Sequence, residues 1–285
     1  MLITYMDFIT GEKFQSIAEI ALLDDLNPNN NKYSGILIRC NGTSLLKCKH
    51  EFIGKKIIYI KTDYIDEFVK IIMPEINNNI VIITHNADKC ITSEHIDALN
   101  NSKIIRWYAQ NTTIIHPKLT TLPIGIANSQ WRHGNLDELS KVINSNIIKS
   151  NLLYVNFNVS TNLAKRLPVK KIMLAKGYTF TDANLPFFEY LKQLASYKFA
   201  LCPMGNGPDC HRIWECLYLG VIPIVSNIVA YSDFADLPIL KIDDFNIISD
   251  DFLNEQYKIM LSKKYDLSKL SFEYWKKTIS QMANQ

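Results

Sequence analysis

Residues 199–225 read FALCPMGNGPDCHRIWECLYLGVIPIV. Their residue types follow the order of a strand, a turn, a helix and a second strand. Residues 199–203 are an apolar run of strand length. Gly205, Asn206 and Gly207 come next, and the two glycines let the backbone turn with no Cβ in the way. Pro208 suits the opening position of a helix. The predicted helix covers 209–219 and stops at Gly220, the residue type that most readily ends a helix. Residues 221–225 then start a strand at once. Two strands joined through a helix are the crossover unit of a parallel sheet. On the helix, Ile213, Cys216 and Leu217 share a side that can pack on a sheet. Arg212 and Glu215 stand three residues apart on another side, and His211 lies four before Glu215. A helix N-terminus presents free N–H groups and the positive end of the dipole. Together with the two-pronged Arg212 it predicts an anion site. Asp209 is expected in the first turn, where it caps the helix and repels an anion set too close.

The alternation extends outward in both directions. Apolar runs at 35–39, 56–60, 80–84, 103–109 and 119–123 read as strands, with helices over 63–72 and 93–100 between them. After a polar stretch at 129–150, with one amphipathic segment at 136–143, the pattern restarts. Strands are expected at 152–157 and 199–203, with a helix over 187–196. The tail, 250–284, reads as helical and able to return to the first half. The expected fold class is α/β, in two Rossmann-like halves whose parallel sheets face a central cleft. One half covers 1–150 and takes the acceptor side; the other covers 151–285.

Ligands of open parallel sheets bind beyond the carboxyl ends of the strands, so polar residues placed there are candidates. In the first half these are His85, Asn86 and Asp88, then Gln110 and Asn111, then Asn128, Trp131, Arg132 and His133. In the second half they are Asn158, Ser160, Thr161 and Asn162, with Arg166 as a second positive group near the anion. Ser226 and Asn227 follow the last strand, and Tyr231 is read as a core tyrosine.

Composition narrows the class. The chain has 285 residues, 47% of them apolar and 21% charged, enough for a substantial core. Its net charge is +3, too balanced to predict a nucleic-acid partner or an anionic membrane. The six cysteines form no CxxC pair, and Cys202, Cys210 and His211 fit no common zinc spacing, so no metal is expected. The N-terminus has no basic segment followed by an apolar run, and every apolar run is strand-sized. A cytoplasmic chain without a transmembrane segment is the expectation.

The run from Gly205 to Val225, followed by YSDFADLPILKIDDF, resembles the donor-binding segment of exostosin-like glycosyltransferases. The likeness is carried by Gly205, Gly207, Arg212, Glu215, Gly220 and Pro223, and then by Asp236, Leu237, Pro238 and Asp243. It covers roughly 150–250. It implies the GT-B fold and a nucleoside-diphosphate-sugar donor, with no cofactor and no bound metal. It also implies inverting transfer to a glycan or lipid-linked acceptor held by the first half. Arg212 would then hold the diphosphate and Glu215 the ribose hydroxyls.

Inverting transfer needs a base near the acceptor hydroxyl and positive charge on the departing diphosphate. His85 and Asp88 are the base candidates, His85 because its ordinary pKa lies near neutrality. Asn86, Asn128 and Trp131 are the acceptor-side candidates, the tryptophan as a stacking surface. Two other readings fit the same scaffold: a nucleotide-sugar epimerase or hydrolase, and a non-catalytic nucleotide-sugar-binding protein.

Overall fold

The computed structural model describes residues 7–24, 33–40, 44–181 and 185–285. The chain divides into two compact units. Unit 1 is Met1–Gln130 with Ser271–Gln285, and unit 2 is Trp131–Leu270. The polar stretch expected to link the halves therefore lies in unit 2.

Unit 1 carries six parallel strands: β1 Ile20–Leu23, β2 Ile36–Arg39, β3 Ile57–Lys61, β4 Ile80–His85, β5 Ile104–Ala109 and β6 Leu119–Thr121. Their order is β2-β1-β3-β4-β5-β6, a doubly wound sheet whose direction reverses beside β1. The strand β1 was not expected, because its four residues, IALL, give too short a run to stand out. One face of the sheet, with Ile58, Ile60, Ile80 and Ile82, packs against Phe52, Phe68 and Trp107. The segment expected as one helix over 63–72 is divided. It runs through a 3-10 turn Thr62–Tyr64, a single helical turn α1′ of residues 65–67, and a π-turn Phe68–Ile72.

The other face is covered by the helix Gly11–Ile17 (α1) and the C-terminal helix Phe272–Ala283. Phe14 sits edge-on to Phe272 and Trp275, at centroid distances of 6.1 and 6.3 Å. The expected helical tail is two helices: Asp250–Ser262 packs in unit 2, and Phe272–Ala283 packs in unit 1.

Unit 2 has four parallel strands: β7 Asn151–Tyr154, β8 Tyr197–Leu201, β9 Ile222–Ser226 and β10 Leu240–Ile242. They lie in chain order across the sheet. Leu153, Phe199, Leu201, Ile222 and Ile224 form the core of one face with Val169 and Met173. The last two come from a helix Leu163–Ala175 (α2), a segment for which the sequence predicted no element. It holds Pro168 in its interior, and its apolar residues do not line one face. The helix expected over 187–196 spans Phe187–Ala195 (α3). That expected over 209–219 spans His211–Tyr218 (α4), and Gly220 follows it with φ +64°.

Candidate active site

In unit 2 the carboxyl ends of β7 and β8 lead into two polar segments. After β7, Asn158 starts a 3-10 turn, Val159–Asn162, and its side-chain oxygen accepts from the Ser160 N–H. Asn162 then caps α2 by accepting from the Lys165 N–H at 3.1 Å. Its amide nitrogen reaches the other way and donates to the Gly205 carbonyl at 2.6 Å.

Arg166, one turn into α2, is only 6% exposed. Its Nε donates to the Met204 carbonyl at 2.9 Å, its Nη1 to the Asn158 carbonyl at 2.8 Å, and its Nη2 to the Pro203 carbonyl at 3.3 Å. Arg166, expected as a second positive group near the anion, uses these donors to hold the backbone of the glycine turn. Burial lowers its pKa, and the nearby Arg212 charge adds to that. At Gly205 an added Cβ would stand 3.2 Å from Arg166 Nη2 and 3.8 Å from Thr161 Cγ2. The turn thus passes close over the guanidinium. Thr161 and Asn206 are exposed there, and Gly207 is buried.

The approach to α4 also differs from expectation. Neither Pro208 nor Asp209 is helical, and Cys210 is the N-cap residue. The Asp209 carboxylate takes the Trp214 indole N–H on both oxygens, at 3.0 and 2.9 Å, and the Cys210 N–H at 2.9 Å. Those bonds hold the chain in an extended turn before the helix begins. The Tyr231 hydroxyl donates to the Pro208 carbonyl, which makes Tyr231 the buried strut of the same turn.

Arg212 and Glu215 meet through a residue absent from the sequence reading. The Tyr190 hydroxyl on α3 donates to Glu215 Oε2 at 2.6 Å and accepts from Arg212 Nε at 3.2 Å. The Arg212 guanidinium lies 5.7 Å from the centre of the Tyr190 ring. Glu215 is 4% exposed. Burial raises its pKa, while the Tyr190 bond and Arg212 pull it back down. Burial opposes the Arg212 charge, and the surrounding Tyr190, Cys202, Cys210 and Glu215 groups more than restore it. Among the described residues, neither Arg166 nor Arg212 forms an ion pair with a carboxylate.

His211, half-buried at the start of α4, has its ring 5.9 Å from that of His133. Trp131 stacks on His133 at 6.4 Å and is 57% exposed. Trp131 was expected among the acceptor-side residues of the first half. It belongs to unit 2, close to the start of α4.

In unit 1 the corresponding edge is a chain of amides. His85 is the last residue of β4 rather than the first of the loop, and it is 1% exposed. Its Nε2 donates to the Pro123 carbonyl at 3.0 Å, and its Nδ1 lies 3.2 Å from Asn86 Oδ1. Both oxygens favour a charged ring, but burial outweighs them and lowers the pKa to about 4. A ring so enclosed has no nitrogen to offer an acceptor hydroxyl, which corrects the expectation of His85 as the base. Asn86 has φ +60°. Its N–H donates to Gln110 Oε1 and its Oδ1 accepts from Asn128 Nδ2. Asn128 Oδ1 in turn accepts from the Glu12 N–H, and the Glu12 carboxylate holds the Ser129 N–H and hydroxyl. Asp88, three residues past the strand end, is exposed.

Among the described residues no group of three or more His, Cys, Asp or Glu side chains could hold a metal ion. No helix among them is long and apolar enough to cross a membrane.

Two parallel-sheet α/β units, with the Arg-x-x-Glu helix following a glycine turn in the second, make up the arrangement that the sequence led us to expect. Residues 164–248 match the family described as the RXYLT1 C-terminal domain, a stretch that contains Arg166, the turn, Arg212 and Glu215. No curated protein matches the sequence. Among solved structures, one from E. coli is described as trehalose-6-phosphate bound with UDP-2-fluoro glucose. It shares 12% identity over 85% of this chain and 76% of its own, with a TM-score of 0.47. A UDP-forming alpha,alpha-trehalose-phosphate synthase from Burkholderia xenovorans shares 9% over the same fractions, with a TM-score of 0.46.

Proposed function

We propose that this glycosyltransferase takes its sugar from a nucleoside-diphosphate donor bound by unit 2. The acceptor is a glycan or lipid-linked hydroxyl bound through unit 1. One observation carries the reading: two arginines, Arg166 and Arg212, lie at the edge of one parallel sheet, and among the described residues no carboxylate forms a salt bridge with either. Buried or half-buried cations are ordinarily paired, and a diphosphate is the partner that this fold class supplies. Arg212 is the direct contact. Glu215, fixed by Tyr190 through one oxygen, keeps the other for a ribose hydroxyl.

The transfer is metal-independent and inverting in this reading. The acceptor oxygen attacks the sugar C1, the bond from C1 to the phosphate oxygen breaks, and the diphosphate leaves with its charge met by Arg212 and backbone N–H groups. Asp88, the exposed carboxylate at the carboxyl edge of unit 1, takes the acceptor proton. His85 shapes that edge instead of reacting.

Donor binding by calorimetry, together with turnover with and without acceptor, tests this. Arg212→Ala is expected to weaken donor affinity about tenfold to a hundredfold, the range for a hydrogen bond to a charged group. Asp88→Asn is expected to lower kcat about a hundredfold or more with donor affinity kept. Wild-type affinity in Arg212→Ala would overturn the donor site. Donor consumption without acceptor would make the protein a hydrolase or epimerase, and binding without any turnover would make it a nucleotide-sugar-binding protein.

A further inference from the structure

Three consecutive carbonyls of the glycine turn point at one pair of side chains. Pro203 and Met204 are held by Arg166, and Gly205 by Asn162. In an extended strand successive carbonyls point to alternate sides, so this run is imposed by the two donors. No peptide bond in the described residues is cis. In a trans peptide the carbonyl of one residue and the N–H of the next point in opposite directions. The N–H groups of Met204 and Gly205 therefore face away from Arg166. Among the described residues, those of Met204 and Gly205 meet no acceptor, although Gly205 is buried. A buried N–H without a partner is rare and costly, and it points to a ligand.

We propose that Arg166 and Asn162 are positioning residues. By fixing the carbonyls of Pro203, Met204 and Gly205, they turn the amides of Met204 and Gly205 into an adjacent pair of donors that selects a diphosphate over a single phosphate. This deepens the donor-site reading above and rests on it for the identity of the ligand. The carbonyls of Pro203 and Met204 both meet the guanidinium, which leaves the next two amides on the far side. Two adjacent donors can each take an oxygen of a different phosphate of a diphosphate. A Cβ at Gly205 would stand 3.2 Å from Arg166 Nη2, so the guanidinium would have to give by a few tenths of an ångström.

The test compares binding of inorganic pyrophosphate and inorganic phosphate to the full chain by calorimetry, with amide NMR shifts at Met204 and Gly205. The wild type is expected to prefer pyrophosphate, with both amide protons moving downfield. Arg166→Lys keeps the charge but cannot span three carbonyls. It is expected to lose about tenfold or more of the pyrophosphate affinity, and its preference over phosphate is expected to fall toward one. Asn162→Ser keeps an oxygen to cap α2 and loses the bond to Gly205. It is expected to reduce the same preference by a smaller factor, and it serves if Arg166→Lys does not fold. A variant that is merely less stable would keep the preference ratio.

Wild-type affinity and preference in Arg166→Lys would overturn the proposal, because charge alone would then suffice. So would unmoved amides in the wild type. If pyrophosphate binds through these amides and no sugar nucleotide binds, the donor reading falls and this one stands. If a sugar nucleotide binds in an Arg212-dependent way with both amides unmoved, the reverse holds.

Discussion

The carboxyl edges of the two sheets are built from opposite materials. In unit 1 the edge closes on itself: Asn86, Gln110 and Asn128 bond one another and the backbone, and the buried His85 donates to the Pro123 carbonyl. In unit 2 two arginines stand at the edge with carbonyls and a tyrosine hydroxyl as their neighbours. Neutral amides that pair internally fix a backbone shape at little electrostatic cost. Arg212 meets Glu215 only through the Tyr190 hydroxyl, and Arg166 meets carbonyls, an arrangement that leaves positive potential for an anion to fill. The first edge is therefore built as a scaffold, and the second serves as the binding surface of the proposed donor site. Both edges use the same carboxyl-end geometry, and side-chain charge alone separates their tasks.

The largest effect expected from this contrast is at His85. Its folded pKa of about 4 lies below the ordinary 6.5 because burial disfavours the charged ring. Between those two values the unfolded chain binds the extra proton and the folded chain does not. Stability is then fully present above pH 6.5 and falls as the pH drops toward 4, by about 3 kcal/mol in total. Urea unfolding at several pH values, followed through Trp107 in unit 1, reads this directly. His85→Gln is expected to flatten that part of the curve. An equal slope in the variant would show that His85 is charged in the folded protein, and the neutral description of this edge would fail.

A smaller effect is expected at Gly11. A Cβ there would lie 1.9 Å from Asn86 Oδ1, so Gly11→Ala must displace the Asn86 amide and break its link to Asn128. Overpacking of this kind costs about 2 kcal/mol. Donor affinity is expected to be unchanged, because the arginine edge belongs to the other unit. A loss of donor affinity as large as the loss of stability would break the division of tasks.

How much of this was legible in the sequence depends on the range of the interaction involved. The strand, turn, helix and strand of residues 199–225 were readable because each signal is local: an apolar run, paired glycines, and Gly220 to end the helix. Helix α2 was not readable, because Pro168 interrupts a segment with no clear apolar stripe. It is stabilised instead by tertiary packing of Val169 and Met173. Arg166 was visible as a cation, but a solvated arginine and one bound to three carbonyls look alike in sequence. His85 was placed after the strand, and one more residue of pairing, Lys61 with His85, carries it into the sheet. Tyr190 lies 25 positions from Glu215, and nothing local joins them.

That tyrosine gives the smallest and most discriminating test. Tyr190→Phe keeps the ring beneath the Arg212 guanidinium and removes only the hydroxyl. One hydrogen bond to each of Arg212 and Glu215 is lost, and the net cost to donor binding is about 1 kcal/mol, or roughly fivefold. The pH dependence carries more information than the size. Burial already raises the Glu215 pKa, and the Tyr190 bond is the larger of the two influences holding it down. Without the hydroxyl the carboxylate takes up its proton at a higher pH and loses an acceptor for a ribose hydroxyl. Donor affinity should therefore begin to fall at a higher pH in Tyr190→Phe than in the wild type, when followed by calorimetry from pH 8 downward. Coincident pH profiles would mean that Glu215 does not touch the donor, and the unit 2 edge would then grip its ligand by arginine and backbone alone.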